Sequence, residues 1–337
     1  MRYVDAVRAQ EMPRVIRLRP NLHAACFTLM KLLPARYIVD DAVRSGALRD
    51  GMTIAESTSG TFGLGLAMVA ALRGFPLVLV SDPVLGDGLR DRLWQLGAKV
   101  HVVPEPAPVG GYQQARLDKL AEVTAATPAF VPAQYDNPRN PAAYAAVAAM
   151  LTEELGRVDC LVGGVGSGGS MCGTATALRS AHPDLRTVAV DTHGSVLFGH
   201  EDRPRLLRGL GNSIMPGNLD HTVFDEVHWV GAGEACLATR QLHSEHALFM
   251  GPTSGAAYLV AQWIATRHPE MSVVAMFADE GHRYQDTVGD PAWLASRGVP
   301  VPESVPWSPA TVTTPAEARA GWQRMEWARR PVATVRT

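Results

Sequence analysis

Lysine is scarce in this chain of 337 residues. Of its 31 basic residues only three, Lys31, Lys99 and Lys119, are lysines, which leaves 28 arginines. The guanidinium group of arginine stays protonated and is a poor nucleophile, so arginine cannot replace lysine in covalent chemistry. If the protein forms a covalent bond through a lysine, the candidates are these three residues.

Cysteine, net charge and long apolar runs are also limited, and each shortage excludes a class of protein. The four cysteines are far apart and form no CxxC pair, which argues against a disulfide framework or a zinc site and favours a reducing cytoplasm. A formal net charge of −2 excludes nucleic-acid binding through a broadly basic surface. No apolar run is long enough to span a membrane, and the charged N-terminus lacks the apolar core of a signal peptide. The sequence therefore predicts a soluble cytoplasmic protein without a metal site.

Strand-like and helical segments alternate along the chain from about residue 36. This alternation is typical of an α/β protein with mostly parallel sheets, and the chain length predicts two domains. Short apolar runs predict strands at residues 52–57, 76–81, 99–104, 160–165, 187–192, 227–230 and 273–278. Helical spacing predicts helices at residues 35–48, 64–72, 89–98, 142–155, 170–181 and, after a proline-rich stretch, 315–329.

Two glycine-rich turns each connect a predicted strand to a predicted helix. In GVGSGGSMCG (164–173), glycines allow close approach of an anion, and the N–H groups of a helix N-terminus favour phosphate. This turn has neither the Gly-Lys-Ser/Thr of a Walker A loop nor a dinucleotide fingerprint. The second turn, ESTSGTFG (56–63), offers three hydroxyl groups at a helix N-terminus, which suits a carboxylate. From the residues alone, the first is equally explained as a tight structural turn and the second as a Ser/Thr helix cap.

Lys31 lies in an apolar segment, CFTLMKLLPARY (26–37). Partial desolvation lowers the pKa of a lysine, and the neutral amine then becomes available to form an imine. Lys99 and Lys119 lie in more polar surroundings and are expected to be solvated. Taken alone, Lys31 is also explained as a surface lysine whose methylene chain packs on apolar neighbours.

Six motifs in a fixed order make the sequence resemble the cysteine synthase (tryptophan synthase β, fold type II) family of pyridoxal-phosphate enzymes. The resemblance covers roughly residues 12–290. The motifs are MPRVIRL (12–18), MKLLPARYI (30–38), ESTSGTFGLGLA (56–67), AQYDNPRNP (133–141), GVGSGGSMCG (164–173) and GPTSGAA (251–257).

Three further segments are most similar to one branch of this family, which joins O-phosphoserine to the amino group of glutamate. That branch makes N-(2-amino-2-carboxyethyl)-L-glutamate, a precursor of 2,3-diaminopropionate. The segments are EPAPVGGY (105–112), DTHGSVLFG (191–199) and HRYQDTV (282–288).

The resemblance implies a role for individual residues. Lys31 matches the catalytic lysine that holds pyridoxal 5'-phosphate as a Schiff base, and Thr253 matches the residue whose hydroxyl meets the ring nitrogen. Thr61 stands where the family has an asparagine that contacts the phenolic oxygen. The implied phosphate ligands are Gly166, Ser167, Gly168, Gly169 and Ser170, and the implied ligands of the substrate carboxylate are Thr58, Ser59, Gly60 and Gln134.

The sequence departs from the family pattern close to the implied cofactor. ACFTL (25–29) replaces the usual Asn-Pro-Gly-Gly-Ser before the lysine, and Leu32-Leu33 replaces the usual Asp-Arg after it. Each departure, like Thr61, removes polar groups near the cofactor. Arg116 and Arg283 are both candidates to bind a second, acidic substrate.

The implied fold is two three-layer α/β domains with mostly parallel twisted sheets and the pyridoxal phosphate in the cleft between them. Residues 1–35 with 144–300 would form the larger, cofactor-binding domain, and residues 36–143 the smaller, mobile domain that binds the substrate carboxylate. Residues 301–337 would form a C-terminal proline-rich segment and helix. The family also implies a homodimer.

The implied reaction is β-replacement on a serine derivative, O-phosphoserine or O-acetylserine, through an aminoacrylate. An amino-acid amine, glutamate or similar, would be the nucleophile, in the biosynthesis of a non-proteinogenic amino acid or natural product. Two alternatives stay open. One is a cysteine synthase that uses sulfide or another thiol, and the other is a cofactor-binding pseudoenzyme with a regulatory or partner role.

Overall fold

The computed structural model describes residues 2–58, 60–207, 209–304, 306 and 308–334. The strands are β1 (Arg14–Arg19), β2 (Leu22–Cys26), β3 (Thr53–Ser57), β4 (Leu77–Ser81), β5 (Ala98–Val102), β6 (Ala129–Phe130), β7 (Cys160–Gly164), β8 (Arg186–Asp191), β9 (Glu226–Val230), β10 (Val273–Phe277), β11 (Ala310–Thr311) and β12 (Trp322–Glu326). The helices are α1 (Ala6–Gln10), α2 (Leu32–Ser45), α3 (Thr61–Arg73), α4 (Asp87–Gln95), α5 (Gly111–Ala126), α6 (Arg139–Ala143), α7 (Ala145–Leu155), α8 (Gly169–Arg179), α9 (Ala232–His246), α10 (Pro252–Arg267) and α11 (Pro291–Ser296).

The smaller of two compact units contains Met1–Met12, Leu29–Ala143 and Pro216–Asn218. Its strands follow the order β5-β4-β3-β6, and every neighbouring pair is parallel. Parallel neighbours need a crossover, which α3 supplies between β3 and β4 and α4 supplies between β4 and β5. Apolar side chains of α2, α3 and these strands form the core. The carboxyl ends of the strands share one edge, where α/β sheets bind ligands.

The larger unit contains Pro13–Thr28, Tyr144–Met215 and Leu219–Thr337. Its strands follow the order β1-β2-β10-β7-β8-β9-β12-β11. From β2 to β9 all neighbours are parallel, whereas β1 and β12 pair antiparallel with β2 and β9. Helix α10 is buried along most of its length in the core of this unit. The prediction of an α/β fold with mostly parallel sheets is confirmed.

Every strand predicted from an apolar run is present, with its ends displaced by at most two residues. Five of the six predicted helices are present as well, with 142–155 divided between α6 and α7. The β1–β2 hairpin, α5 and α10 were not predicted as elements. The strands of this chain are predicted well because a sheet that is covered on both faces requires continuous apolar runs.

The predicted helix at 315–329 is wrong. A single 3₁₀ turn spans Pro315–Glu317, Gly321 has φ = +70°, and the chain then forms β12. In the register of β12 and β9, Trp322 lies opposite Val230. Without this pairing the backbone groups of β9 would form the edge of the sheet, so pairing outweighs the helical spacing of the segment.

A buried polar contact joins β12 to β9. The indole Nε1–H of Trp322 donates to Nδ1 of His228 at 3.0 Å. Because an indole N–H can only donate, Nδ1 carries no proton and Nε2 donates to Oε1 of Glu226, 2.7 Å away. Burial lowers the pKa of His228, so the ring is held as one neutral tautomer.

The packing of α9 against α10 depends on Gly255. A Cβ atom at this position would lie 2.0 Å from Oγ1 of Thr239 and 2.6 Å from the carbonyl oxygen of Ala235. We expect Gly255→Ala to lower the free energy of unfolding by about 1–3 kcal/mol, as overpacking does, measured by urea denaturation. The matched control is Gly88→Ala in α4, where a Cβ would meet no atom within 4 Å. Equal stability of the two variants would contradict the packing argument.

Candidate active site

The glycine-rich turn of the larger unit lies between β7 and α8. The strand ends at Gly164, Gly168 has φ = +82°, and the helix begins at Gly169. The N-cap residue of α8 is Gly168, which has no side chain to cap the helix, and the first N–H groups of α8 lie at the turn. Ser167 is buried in the turn and Ser170 is half-buried. This arrangement suits a phosphate group.

Thr253 lies against the start of this turn. It is the second residue of α10, which begins at Pro252, and it is buried. A Cβ atom at Gly164 would lie 2.6 Å from Cγ2 of Thr253, so only glycine leaves room for the threonine. The structure therefore places Thr253 against the first residue of the turn that is predicted to bind phosphate.

In the smaller unit, Thr58 and Gln134 lie at the carboxyl end of β3. Thr58 follows the strand directly, and its hydroxyl accepts a hydrogen bond from the N–H of Gly60 at 3.3 Å. Nε2 of Gln134 donates to the carbonyl oxygen of Ser57 at 3.2 Å. The structure thus brings together three of the four residues predicted to bind the substrate carboxylate. Ser59, the fourth, lies outside the described residues.

The asparagines of AQYDNPRNP fix the loop that carries Gln134. Nδ2 of Asn137 donates to the carbonyl oxygen of Pro132 at 2.9 Å, and Nδ2 of Asn140 donates to that of Gln134 at 2.6 Å. Asn218 donates to the same oxygen at 3.1 Å. These bonds hold the backbone of Gln134, which explains why the motif is rich in asparagine.

Lys31 immediately precedes α2, close to the first turns of α3. A Cβ atom at Gly65 would lie 3.0 Å from the carbonyl oxygen of Lys31, so the two helices approach closely at this point. Thr61 is the first residue of α3 and is half-buried. Lys31 is half-buried, and desolvation lowers the pKa of its amine to about 8. This lysine therefore loses its proton more readily than a solvated one.

A buried charged cluster adjoins Gln134 in the same unit. Nη1 of Arg116 lies 3.2 Å from Oδ2 of Asp82, and the two residues are 4% and 2% exposed. Burial raises the pKa of Glu56 to about 7, and hydrogen bonds from the N–H groups of Ser57 and Gln134 and the nearby charge of Arg116 oppose the rise. The sequence marks Arg116 as a candidate, but no local pattern marks Glu56 or Asp82, because only the sheet brings the ends of β3 and β4 together.

Arg283, the other predicted candidate for an acidic substrate, lies in the larger unit. Its guanidinium carbon is 5.8 Å from the ring centre of Tyr284, and the residue is half-buried. The hydroxyl of Tyr284 donates to Oδ2 of Asp279 at 2.7 Å. Arg116 is the more deeply buried of the two arginines.

Other reactive side chains have ordinary surroundings. Cys172, inside α8, is buried, and burial raises the pKa of its thiol to about 12, so it is not a thiolate at neutral pH. Nε2 of His246 lies 3.1 Å from the hydroxyl of Tyr258. Within the described ranges, no group of three or more His, Cys, Asp or Glu side chains is placed to hold a metal ion. In the same ranges, no helix is both long enough and apolar enough to cross a membrane.

Known proteins resemble this chain over most of its length. Residues 30–279 match the family described as pyridoxal-phosphate dependent enzymes. A curated relative, the N-(2-amino-2-carboxyethyl)-L-glutamate synthase of Ralstonia nicotianae, is 33% identical over 305 residues, which cover 87% of this chain and 90% of the relative.

Two solved structures share the fold. O-ureido-L-serine synthase is 29% identical with a TM-score of 0.78, covering 87% of this chain and 100% of that one. The O-acetylserine-dependent cystathionine beta-synthase of Helicobacter pylori is 27% identical with a TM-score of 0.78, covering 85% and 99%. The resemblance drawn from the motifs is confirmed: the chain belongs to the pyridoxal-phosphate-dependent enzymes, and its cofactor is pyridoxal phosphate.

Proposed function

We propose that this enzyme catalyses β-replacement on O-phosphoserine, with the amino group of an acidic amino acid such as glutamate as the nucleophile. The observation that carries the proposal is the group of residues at the carboxyl edge of the smaller sheet. There Thr58 and Gln134, which suit an α-carboxylate, lie near the buried cation Arg116. The Ralstonia relative is named for a product in which a glutamate nitrogen is bonded to the β-carbon of an alanine unit.

The residues of the chain fit pyridoxal phosphate at three points. The start of α8, with glycine as its N-cap residue, suits the phosphate, the lowered pKa of Lys31 suits attachment of the aldehyde, and the buried hydroxyl of Thr253 suits the ring nitrogen. We assign the phosphate to the turn from Gly166 to Ser170 and the phenolic oxygen to Thr61. Pyridoxal phosphate supplies a ring that withdraws electrons from the α-carbon of a bound amino acid.

The proposed carboxylate site consists of the start of α3 and the Gln134 amide. Helix α3 has 13 residues, and its N-terminus favours a negative charge. Nε2 of Gln134 uses one of its two hydrogens on the carbonyl oxygen of Ser57, so the other can reach a carboxylate oxygen. We place the substrate carboxylate between Gln134, Thr58, Ser59 and Gly60.

Lys31 is the proposed general base. A base acts best when its pKa lies near the working pH, and the lowered pKa of about 8 meets this condition. Lys31 takes the α-proton as the β-leaving group departs, and it returns a proton to the α-carbon after the nucleophile has added at the β-carbon. The hydroxyl of Thr253, unlike a carboxylate, does not enforce a proton on the ring nitrogen, which limits the build-up of negative charge and favours prompt departure of the leaving group.

Arg116 favours a phosphate over an acetate as leaving group. A guanidinium fork matches the oxygens of a phosphate, and charge-assisted hydrogen bonds are about twice as strong as neutral ones. Within the described residues, Nε and Nη1 of Arg116 have no hydrogen-bond partner of good geometry, although Asp82 balances part of the charge. Burial raises the pKa of Tyr135, the residue after Gln134, while Arg116 opposes the rise, so arginine and phenol are neighbours.

The test is an assay of O-phosphoserine and O-acetylserine, each supplied with glutamate and with sulfide. We expect O-phosphoserine with glutamate to give the highest kcat/KM, by at least about tenfold, because the anionic donor gains the charge-assisted bonds of Arg116. Fastest turnover of O-acetylserine with sulfide would instead establish the cysteine synthase alternative. A protein that keeps the absorption of lysine-linked cofactor but turns over none of the four pairs would be the pseudoenzyme.

We further infer that the enzyme works as a homodimer in the cytoplasm on small amino-acid substrates. All four cysteines are buried and unpaired, which suits a reducing compartment. Residues 1–35 with 144–300 are proposed as the cofactor-binding part of the chain and 36–143 as the part that binds the substrate carboxylate, although residues 1–12 and 29–35 belong to the smaller compact unit. Sedimentation of the purified holoenzyme tests the dimer.

A further inference from the structure

The segment Gly209–Asn212 crosses the glycine-rich turn of the larger unit. Gly209 and Gly211 have φ values of +80° and +75°, and Leu210 between them is buried. The N–H of Gly211 donates to the carbonyl oxygen of Val165 at 2.8 Å, and Nδ2 of Asn212 donates to that of Gly166 at 3.2 Å. Two consecutive carbonyl groups of the turn are thus held from one side.

Holding these carbonyl groups also fixes the direction of the next N–H groups. A trans peptide unit is planar, and its C=O and N–H point in opposite directions. The described peptide bonds are all trans. The N–H of Gly166 therefore points away from Gly211, and the N–H of Ser167 points away from Asn212. Both N–H groups are thus directed away from the donors that hold the two carbonyl groups.

Asn212 is itself held at three of its polar atoms. Its N–H donates to Oγ of Ser195 at 3.1 Å, and its carbonyl oxygen accepts from the N–H of Val196 at 3.0 Å. Its side-chain Oδ1 accepts from the N–H of Ser213 at 3.0 Å, which leaves Nδ2 directed at Gly166. The DTHGSVLFG segment, through Ser195 and Val196, is in this way connected to the turn.

We propose that Asn212 is a positioning residue that aims the N–H groups of Gly166 and Ser167 at the cofactor phosphate. Asn212 lies behind the turn and acts only through the peptide units that it holds. The inference rests on the proposed phosphate site in this turn and adds a residue outside every motif assigned to that site. The DTHGSVLFG segment, through Ser195 and Val196, holds Asn212 in place.

The test compares a ligand that has the phosphate with one that lacks it. The full-length protein, purified without added cofactor, is titrated with pyridoxal phosphate and with pyridoxal, both followed by absorption. We expect Asn212→Ala to weaken binding of pyridoxal phosphate about five- to tenfold, the effect of one hydrogen bond, and to leave pyridoxal binding unchanged. Asn212→Asp should weaken binding of pyridoxal phosphate more than tenfold, because a carboxylate repels both the carbonyl oxygen of Gly166 and the phosphate. The ³¹P resonance of the holoenzyme should shift in both variants.

The matched control is Asn21→Ala in the same unit. Nδ2 of Asn21 also donates to backbone carbonyls, those of Ala265 and His268, so this variant loses similar bonds far from the turn in sequence. It should lower Tm without changing the preference for pyridoxal phosphate over pyridoxal. An Asn212→Ala variant with unchanged preference and an unchanged ³¹P resonance would overturn the inference. If Asn212→Ala does not fold, the preference for pyridoxal phosphate over pyridoxal is measured for Asn212→Ser, and an unchanged preference in that variant would overturn the inference. A wild-type protein that binds both ligands equally would instead overturn the phosphate site itself.

Discussion

Lys31→Ala is expected to lower kcat by about 10³-fold or more, because one residue both holds the cofactor and moves the α-proton. The variant should also lack the visible absorption of cofactor attached to lysine. Lys99→Ala is the matched control, since Lys99 is exposed on β5 and belongs to no proposed site. If Lys31→Ala keeps the same absorption as the wild type, the lysine assignment is wrong.

The lowered pKa of Lys31 adds a pH dependence to this result. Attachment of the aldehyde needs the neutral amine, and burial shifts the pKa of that amine down to about 8. The rate of cofactor attachment to the cofactor-free protein should therefore rise with pH up to about 8 and then level off. A solvated lysine would give a rate that still climbs towards pH 10. Stopped-flow absorption over this range distinguishes the two profiles.

Arg116→Met is expected to destabilise the protein by about 3–5 kcal/mol, because it leaves Asp82 as an uncompensated buried charge. The two groups lie 3.2 Å apart and both are almost fully buried. Denaturant unfolding measures the loss. The same substitution should also remove any preference for O-phosphoserine over O-acetylserine.

The double variant Arg116→Met with Asp82→Asn is the control for that loss. It removes both charges, so most of the stability should return while the preference for O-phosphoserine stays lost. A double variant as unstable as the single one would show that Arg116 stabilises the unit through packing and not through its pairing with Asp82.

Local sequence patterns predicted the central strands but not the edges of the larger sheet. The run of β10 is apolar throughout, and that of β4 is apolar up to its last residue, Ser81, because both faces of a parallel sheet are covered. Strand β1, in contrast, has arginines at both ends and no apolar run. The formation of strand β12 depends on its pairing with β9, and no local pattern indicates a partner almost a hundred residues away.

The residues of the candidate site that belong to a motif were predicted from the sequence. The residues that only the tertiary structure brings to the site were missed. The order of motifs singled out Lys31, Gln134 and Thr253. Asn212 and Asp82 follow no motif, and their neighbours become visible only when strands and loops from distant parts of the chain are side by side. A side chain that acts through another residue is therefore difficult to recognise from one sequence.

The pairing of β12 with β9 also protects the protein from aggregation through the edge of its sheet. A long unpaired edge strand can form backbone hydrogen bonds with the edge strand of another molecule, and such pairing leads to aggregation. Here β9 is covered over its whole length, and on this side the sheet ends at β11, a strand of only two exposed residues. Residues 310–326 therefore contribute to solubility as well as to the fold, and a chain shortened before Ala310 would expose the buried strand β9 to other molecules.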